Sequence, residues 1–251
     1  RPHPKRFTPR EIEALLHKRE QLVSSISSSL VLSDGLASES PKFWTPFSDY
    51  KSEKSFKIHR KEISGVALSS NHEEVHSVSY DGSLKSVNME KQKKTRSVNI
   101  TSSKLTCCQL HHSEKFLTIG SFDSKLYVYS FEHSKVVAKV EEAHESSVST
   151  MRLKKNLLLT GSTDSTVKLW DIDNIGAGQL LRYEYHHAPA SSCDLSEACN
   201  VATVGFSDGT VSLFDVRAGL KTISSKKLFS GRVTGTKFIP GANQIAASSE
   251  D

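Results

Sequence analysis

The chain has 251 residues, 36% of them hydrophobic and 24% charged, with a formal net charge of +5. That length supports one large domain or two small ones with a real core, and the balance excludes collagen-like and wholly disordered classes. No apolar run approaches the roughly 18 residues that a spanning helix needs. The four cysteines, at 107, 108, 193 and 199, include no Cys-x-x-Cys pair. Neither a disulfide framework nor a zinc site is expected from them, and reduced thiols packed as small hydrophobes are.

The positive charge is unevenly placed: the first 60 residues carry a net +4 and the remaining 191 only +1. A nucleic-acid reader carries its charge on the folded surface, so nucleic acid is not the expected partner. One local run, Lys91, Lys93, Lys94 and Arg96, is expected to be a solvated loop between strands.

Residues 1–56 read as a leader. Thr8, Pro9 and Glu11 form a helix-start pattern, followed by Ile12, Leu15, Leu16 and Arg19 at helical spacing. A Ser-rich linker follows, with Phe43, Trp44 and Phe47 as a cluster that either docks on a neighbouring surface or stays free.

From residue 57 to residue 251 the chain repeats. VSYDGSLKSVN, GSFDSKLYVYS, GSTDSTVKLWD and GFSDGTVSLFD align on Asp81, Asp123, Asp164 and Asp208, and a fifth repeat reaches its aspartate at Asp251. Intervals of 41–44 residues are the signature of four-stranded propeller blades. In each repeat an apolar run (75–78, 116–119, 157–159, 201–204) meets a turn at the aspartate, and a second strand begins. Three residues on stands Leu84, Leu126, Val167 or Val211; six on stands Val87, Tyr129, Trp170 or Phe214. Apolar groups on both faces imply strands sandwiched between neighbouring blades. The predicted fold is all-β, a propeller of about four and a half repeats with a short N-terminal helix.

These repeats resemble WD repeats, with the ending KLWD intact at residues 168–171. The resemblance implies a structural tetrad in repeat three, His144, Thr160, Asp164 and Trp170. Repeat one keeps His59, Ser77 and Asp81 with Val87 in place of the tryptophan. Repeat two has Ile119 and Tyr129 and no histidine in the expected region. Repeat four offers His186 or His187 with Asp208, Val204 and Phe214. The leader RPHPKRF and the stretches KIHRKEISGVALS and TGSTDSTVKLW are similar to BEACH–WD proteins, including those associated with neutral sphingomyelinase activation. That resemblance implies a BEACH domain upstream, a seven-bladed ring, a cytoplasmic setting peripheral to endosomal or plasma membrane, and work in vesicle trafficking or receptor-linked signalling. A polypeptide continuing on both sides of this segment is expected.

GFSDG at 205–209 matches a nucleophile-elbow pattern, but such an elbow needs a helix after the serine, and here a strand is predicted. The adjacent pairs His111–His112 and His186–His187 lack zinc-site spacing. No enzyme activity, metal or cofactor is expected. Loops on a rigid scaffold bind, and the WD resemblance places the residue before each turn aspartate on the binding surface: Tyr80, Phe122, Thr163 and Ser207. The aromatic pair serves either as anchors or as packing against neighbouring loops. The expected partners are proteins or peptides. The alternative is an anionic-lipid or RNA-binding propeller that uses the leader and the Lys91–Arg96 run.

Overall fold

The computed structural model describes residues 57–185, 187–241 and 244–251. The leader helix, the linker with Phe43, Trp44 and Phe47, and His186 lie outside the described residues.

The described residues form four four-stranded antiparallel sheets and one two-stranded sheet, each built from consecutive strands. Blade 1 holds β1 (Ile63–Leu68), β2 (Glu74–Ser79), β3 (Ser83–Asn88) and β4 (Lys93–Asn99). Blade 2 holds β5 (Leu105–Leu110), β6 (Phe116–Ser121), β7 (Leu126–Ser130) and β8 (Lys135–Val140). Blade 3 holds β9 (Val148–Lys154), β10 (Leu157–Ser162), β11 (Thr166–Asp171) and β12 (Leu181–Glu184). Blade 4 holds β13 (Ala190–Leu195), β14 (Val201–Phe206), β15 (Thr210–Asp215) and β16 (Lys221–Lys227), and β17 (Val233–Phe238) pairs with β18 (Ile245–Ser249). First strands of successive blades pack in order, β1 on β5, β5 on β9, β9 on β13 and β13 on β17. The architecture is the antiparallel blade series of a WD40 propeller.

The core lies between blades. In blade 3, Leu158 and Trp170 pack with Leu126 and Val128 of blade 2, whereas Leu159, Val167 and Leu169 pack with Val204 and Phe206 of blade 4. Successive side chains of a strand point to opposite faces, so each middle strand supplies two interfaces. Each large apolar side chain buried there contributes about 1.5–3 kcal/mol.

The hairpin turns need backbone in the left-handed region. Gly82 (φ +77) and Gly209 (φ +87) supply it, and a Cβ at either would lie 2.0 Å from a carbonyl oxygen, of Thr101 or Phe229. In blades 2 and 3, Ser124 and Ser165 hold the same turn position at φ 64 and 67.

Every first strand carries a bulge at one position, occupied by Ser64, Thr106, Ser149, Ser191 and Thr234. The three serines use the bulge to join blades. Ser64 Oγ reaches Val78 O at 3.3 Å within its blade and Leu105 O at 2.6 Å in the next. Ser149 does the same with Gly161 O (3.0 Å) and Ala190 O (2.5 Å), and Ser191 with Gly205 O (3.0 Å) and Val233 O (2.6 Å). A hydroxyl has one proton, so the shorter, inter-blade contact is the principal bond.

One local expectation is corrected. Lys93, Lys94 and Arg96 are not loop residues but lie in β4, because the outer strand pairs with β3 over that whole stretch. The segment after β11 is a 3-10 helix over Ile172–Ala177 that buries Ile172 and Ile175.

Candidate functional site: blade frames and the turn rim

Blade 3 contains a continuous polar chain. The Trp170 indole N–H donates to Thr160 Oγ1 at 2.8 Å, and Thr160 Oγ1 lies 2.8 Å from His144 Nε2. His144 Nδ1 lies 2.8 Å from Thr166 Oγ1 and 3.3 Å from Asp164 Oδ2. Asp164 also accepts from the backbone N–H groups of Glu145 and Thr166. With Nδ1–H toward the carboxylate and Nε2 accepting from the threonine hydroxyl, the imidazole is neutral. Burial lowers the His144 pKa from 6.5, against the pull of Asp164, which fits that state. Burial pushes the Asp164 carboxyl upward, but hydrogen bonds from His144, Thr166 and two backbone N–H groups outweigh it and hold the group well below the usual carboxylate range. Lys168 closes the frame, its ammonium donating to Ala143 O at 2.7 Å.

Blade 1 builds the same frame without the tryptophan. His59 Nε2 lies 2.9 Å from Ser77 Oγ, and Nδ1 lies 3.1 Å from both Asp81 Oδ2 and Ser83 Oγ. Asp81 is likewise lowered: burial opposes ionisation, and hydrogen bonds from Ser83, the Arg60 N–H and His59 win. Lys85 donates to Ile58 O at 2.6 Å, the counterpart of Lys168 and Ala143.

Blade 4 departs from expectation. The tyrosine Tyr185, not His187, stands at the imidazole position, its hydroxyl 3.0 Å from Asp208 Oδ2 and 3.2 Å from Thr210 Oγ1. Tyr185 packs its ring on Phe206 (centroids 4.0 Å apart) and makes an edge contact with His187. With Val204 at the hydroxyl position there is no further partner to relay to, and a phenol that satisfies the aspartate while adding apolar surface fits the site. Blade 2 has Asp123 held by Ser121 Oγ at 2.5 Å and by Lys125 at 3.5 Å. Its Tyr129, buried where blade 3 has Trp170, receives a hydrogen bond from Arg96 of blade 1 at 2.8 Å. In the fifth repeat Asp251 accepts from the N–H groups of Ser230 and Gly231.

One backbone bond recurs beside these frames. The N–H groups of Tyr80, Phe122, Thr163, Ser207 and Glu250 donate to the carbonyls of Glu62, Lys104, Ser147, Pro189 and Arg232. It sets the residue before each turn aspartate at the same end of its sheet, and these residues form a rim. Phe122 is 59% exposed, Thr163 is exposed, and Tyr80 and Ser207 are half-buried. Lys104 sits between the two aromatics, its ammonium 5.3 Å from the Tyr80 ring centroid and 5.7 Å from that of Phe122. Tyr80 is thus partly packed, Phe122 projects, and the lysine bridges them. Ser207 lies in the β14–β15 hairpin and is followed by a strand. The cysteines at 107, 108 and 193 are pushed up to about 12 by burial. Among the described residues no group of three or more His, Cys, Asp and Glu side chains is arranged to hold a metal ion.

Three features escaped the sequence reading. Lys104 precedes β5 and carried no motif, Tyr185 was masked by the adjacent histidines, and the bulge hydroxyls align only once the first strands are known.

Comparison with known proteins agrees with this geometry. Residues 135–171 match the WD40 family model, WD domain, G-beta repeat. The transcriptional corepressor LEUNIG_HOMOLOG of Arabidopsis thaliana is 25% identical over 191 residues, covering 60% of this chain and 24% of that protein. A guanine nucleotide-binding protein subunit beta of Oryza sativa subsp. indica is 23% identical over 188 residues, covering 70% of this chain and 50% of its own length. The GATOR2 complex protein Wdr24 of Drosophila melanogaster is 34% identical over 97 residues, covering 38% of this chain and 12% of that protein. The chain thus spans no more than half the length of these relatives. It contains a WD40 repeat domain and is homologous to WD-repeat proteins.

Proposed function

We propose that this chain is a non-catalytic protein-interaction scaffold whose turn rim contacts partner proteins or peptides, with Phe122, Tyr80 and Lys104 as the anchor and Thr163 and Ser207 flanking it. The observation that supports this most is Phe122: a phenylalanine 59% exposed, beside a half-buried tyrosine and a shared ammonium, on a rim fixed by the same backbone bond in five repeats. Aromatics in such settings are the usual energetic centres of protein interfaces. The finer reading, carried by the resemblance to BEACH–WD proteins, is a cytoplasmic scaffold for membrane trafficking or receptor-linked signalling, with a BEACH domain upstream. The apolar side of β1, where Ile63, Val66 and Leu68 are 49%, 59% and 48% exposed, fits coverage by a further blade of a larger ring.

The rival reading uses basic groups to hold anionic lipid or RNA. Arg96 weighs against it, because its guanidinium is occupied by Tyr129 and Ser134. Capture of cellular partners at increasing salt separates the two. The scaffold reading predicts a partner set lost in Phe122→Ala and little changed by salt. A steep linear fall of log affinity with log salt, insensitive to Phe122→Ala, contradicts it.

A further inference from the structure

We propose that a groove on blade 1, separate from the rim anchor, binds the carboxylate of an acidic peptide; this rests on the reading of the chain as a peptide-binding scaffold. The groove has a volume of about 560 Å³ and is lined by Arg60, Asp81, Lys85, Ser97, Asn99 and Thr101, among others.

The same place in the other blades shows what is missing. Ser83 faces Asn99 and Lys85 faces Ser97 in blade 1, just as Thr166 faces Glu184 and Lys168 faces Arg182 in blade 3. The N–H of Arg60 caps Asp81 just as the N–H of Glu145 caps Asp164. Arg60, Ser97 and Asn99 therefore stand where blade 3 has Glu145, Arg182 and Glu184. In blade 3 those three side chains close the groove: Arg182 lies 3.1 Å from Glu145 and 2.5 Å from Glu184. Blade 2 closes its own with Glu141, 3.1 Å from Lys125 and 2.6 Å from Lys139. In blade 1 the carboxylate is absent. Asp81 is already engaged by His59, Ser83 and the Arg60 N–H. The Arg60 guanidinium has no hydrogen bond or ion pair among the described residues, and Lys85 stands 3.9 Å from Asp81. Two cations thus face one committed carboxylate: Arg60 and the Asn99 amide stand in place of the two glutamates, and the Ser97 hydroxyl in place of Arg182. An incoming carboxylate would complete the network that blades 2 and 3 complete internally, and a guanidinium with neighbouring donors is suited to an oxyanion.

The test is fluorescence anisotropy of a fluorescein-labelled poly-glutamate peptide on the full chain, with a poly-glutamine peptide as control. Arg60→Ser removes the cation. Asn99→Glu supplies the carboxylate from within, as Glu184 does in blade 3. Poly-glutamate binding with no poly-glutamine binding is expected, weakened about tenfold or more by each variant with unchanged thermal melts. Equal binding by wild type and Asn99→Glu, or no poly-glutamate binding by wild type, overturns the proposal. Displacement by a phosphoserine peptide or inorganic phosphate at much lower concentration than by unlabelled poly-glutamate overturns the carboxylate assignment in favour of a phosphoryl group. Partner capture through Phe122 is measured in the same variants. Its persistence when poly-glutamate binding fails leaves the scaffold reading standing, and its loss in Phe122→Ala alone separates the two sites.

Discussion

Blades 1 and 3 share a frame and differ in how they finish it. Each has a buried histidine between a hydroxyl and a turn aspartate, and a lysine tied to a carbonyl just before that histidine. Blade 3 then adds Trp170 inside and the Arg182–glutamate pairs outside. Blade 1 has Val87 inside and an open, cation-rich groove outside. The frame without the indole is thus enough to position a blade, while the added groups decide whether the charges at its edge are paired internally. The same division holds at the rim, where Thr163 of blade 3 bonds to Ser146 and Ser147 of its own blade and Phe122 of blade 2 projects.

The largest difference between the two blades is expected at the aromatic position. Trp170→Ala removes a nearly fully buried indole and the donor to Thr160, with an expected loss of about 3–5 kcal/mol in urea unfolding. Val87→Ala is expected to cost no more than about 1.5–3 kcal/mol. Equal losses would mean that the tetrad adds nothing beyond apolar burial.

Next come the histidines. His144→Ala leaves Thr160 and the 5%-exposed Asp164 side chain short of a partner, an expected cost of about 1–3 kcal/mol. His59→Ala is expected to cost less, since no indole depends on the relay and the Asp81 side chain is 9% exposed.

Acidification reads the frames together. The His144 pKa is lowered from 6.5 in the folded chain, so the unfolded chain takes up its proton first, and stability falls as pH drops below 6.5 toward the lowered value. The carboxyls of Asp81 and Asp164 are lowered from 3.8, so their contribution is present above that value and is lost as pH falls through the folded pKa. Urea midpoints across the acid range should show both phases. His144→Gln should shrink the upper phase, to which His76 and His111, also lowered by burial, contribute, and Asp164→Asn should shrink the lower, which it shares with Asp81 and Asp208. A midpoint that rises on acidification from neutral contradicts the assignment.

The smallest effect belongs to the bulge hydroxyls. Ser149→Ala and Ser191→Ala should each cost about 1 kcal/mol by losing the bond to the next blade. Hydrogen exchange should show the loosening at that interface and not at the β1–β5 one.

The blade plan was legible because a strand buried on both faces leaves a periodic trace: large apolar residues three and six after each aspartate, all of them buried. The blade 3 polar chain was legible because four residue types at family spacing carry it. Tyr185 was not, since a phenol replacing an imidazole breaks the residue pattern while keeping the bond to Asp208. Arg96 read as part of a loop because its charge hid its place in β4, from which it reaches Tyr129 of the next blade. The groove of blade 1 was invisible for a different reason. It is defined by residues that are absent, and only the strand registers of blades 2 and 3 show which carboxylates belong there.

On the proposed function, partners dock at the rim end near Phe122. A photo-crosslinking residue placed at position 122, and separately at the exposed Val137 on the outer strand β8, tests it in cells. Docking at the rim predicts discrete crosslinked partner bands from position 122 and none of the same bands from position 137. Matching bands from both positions, or bands from position 137 alone, would contradict it.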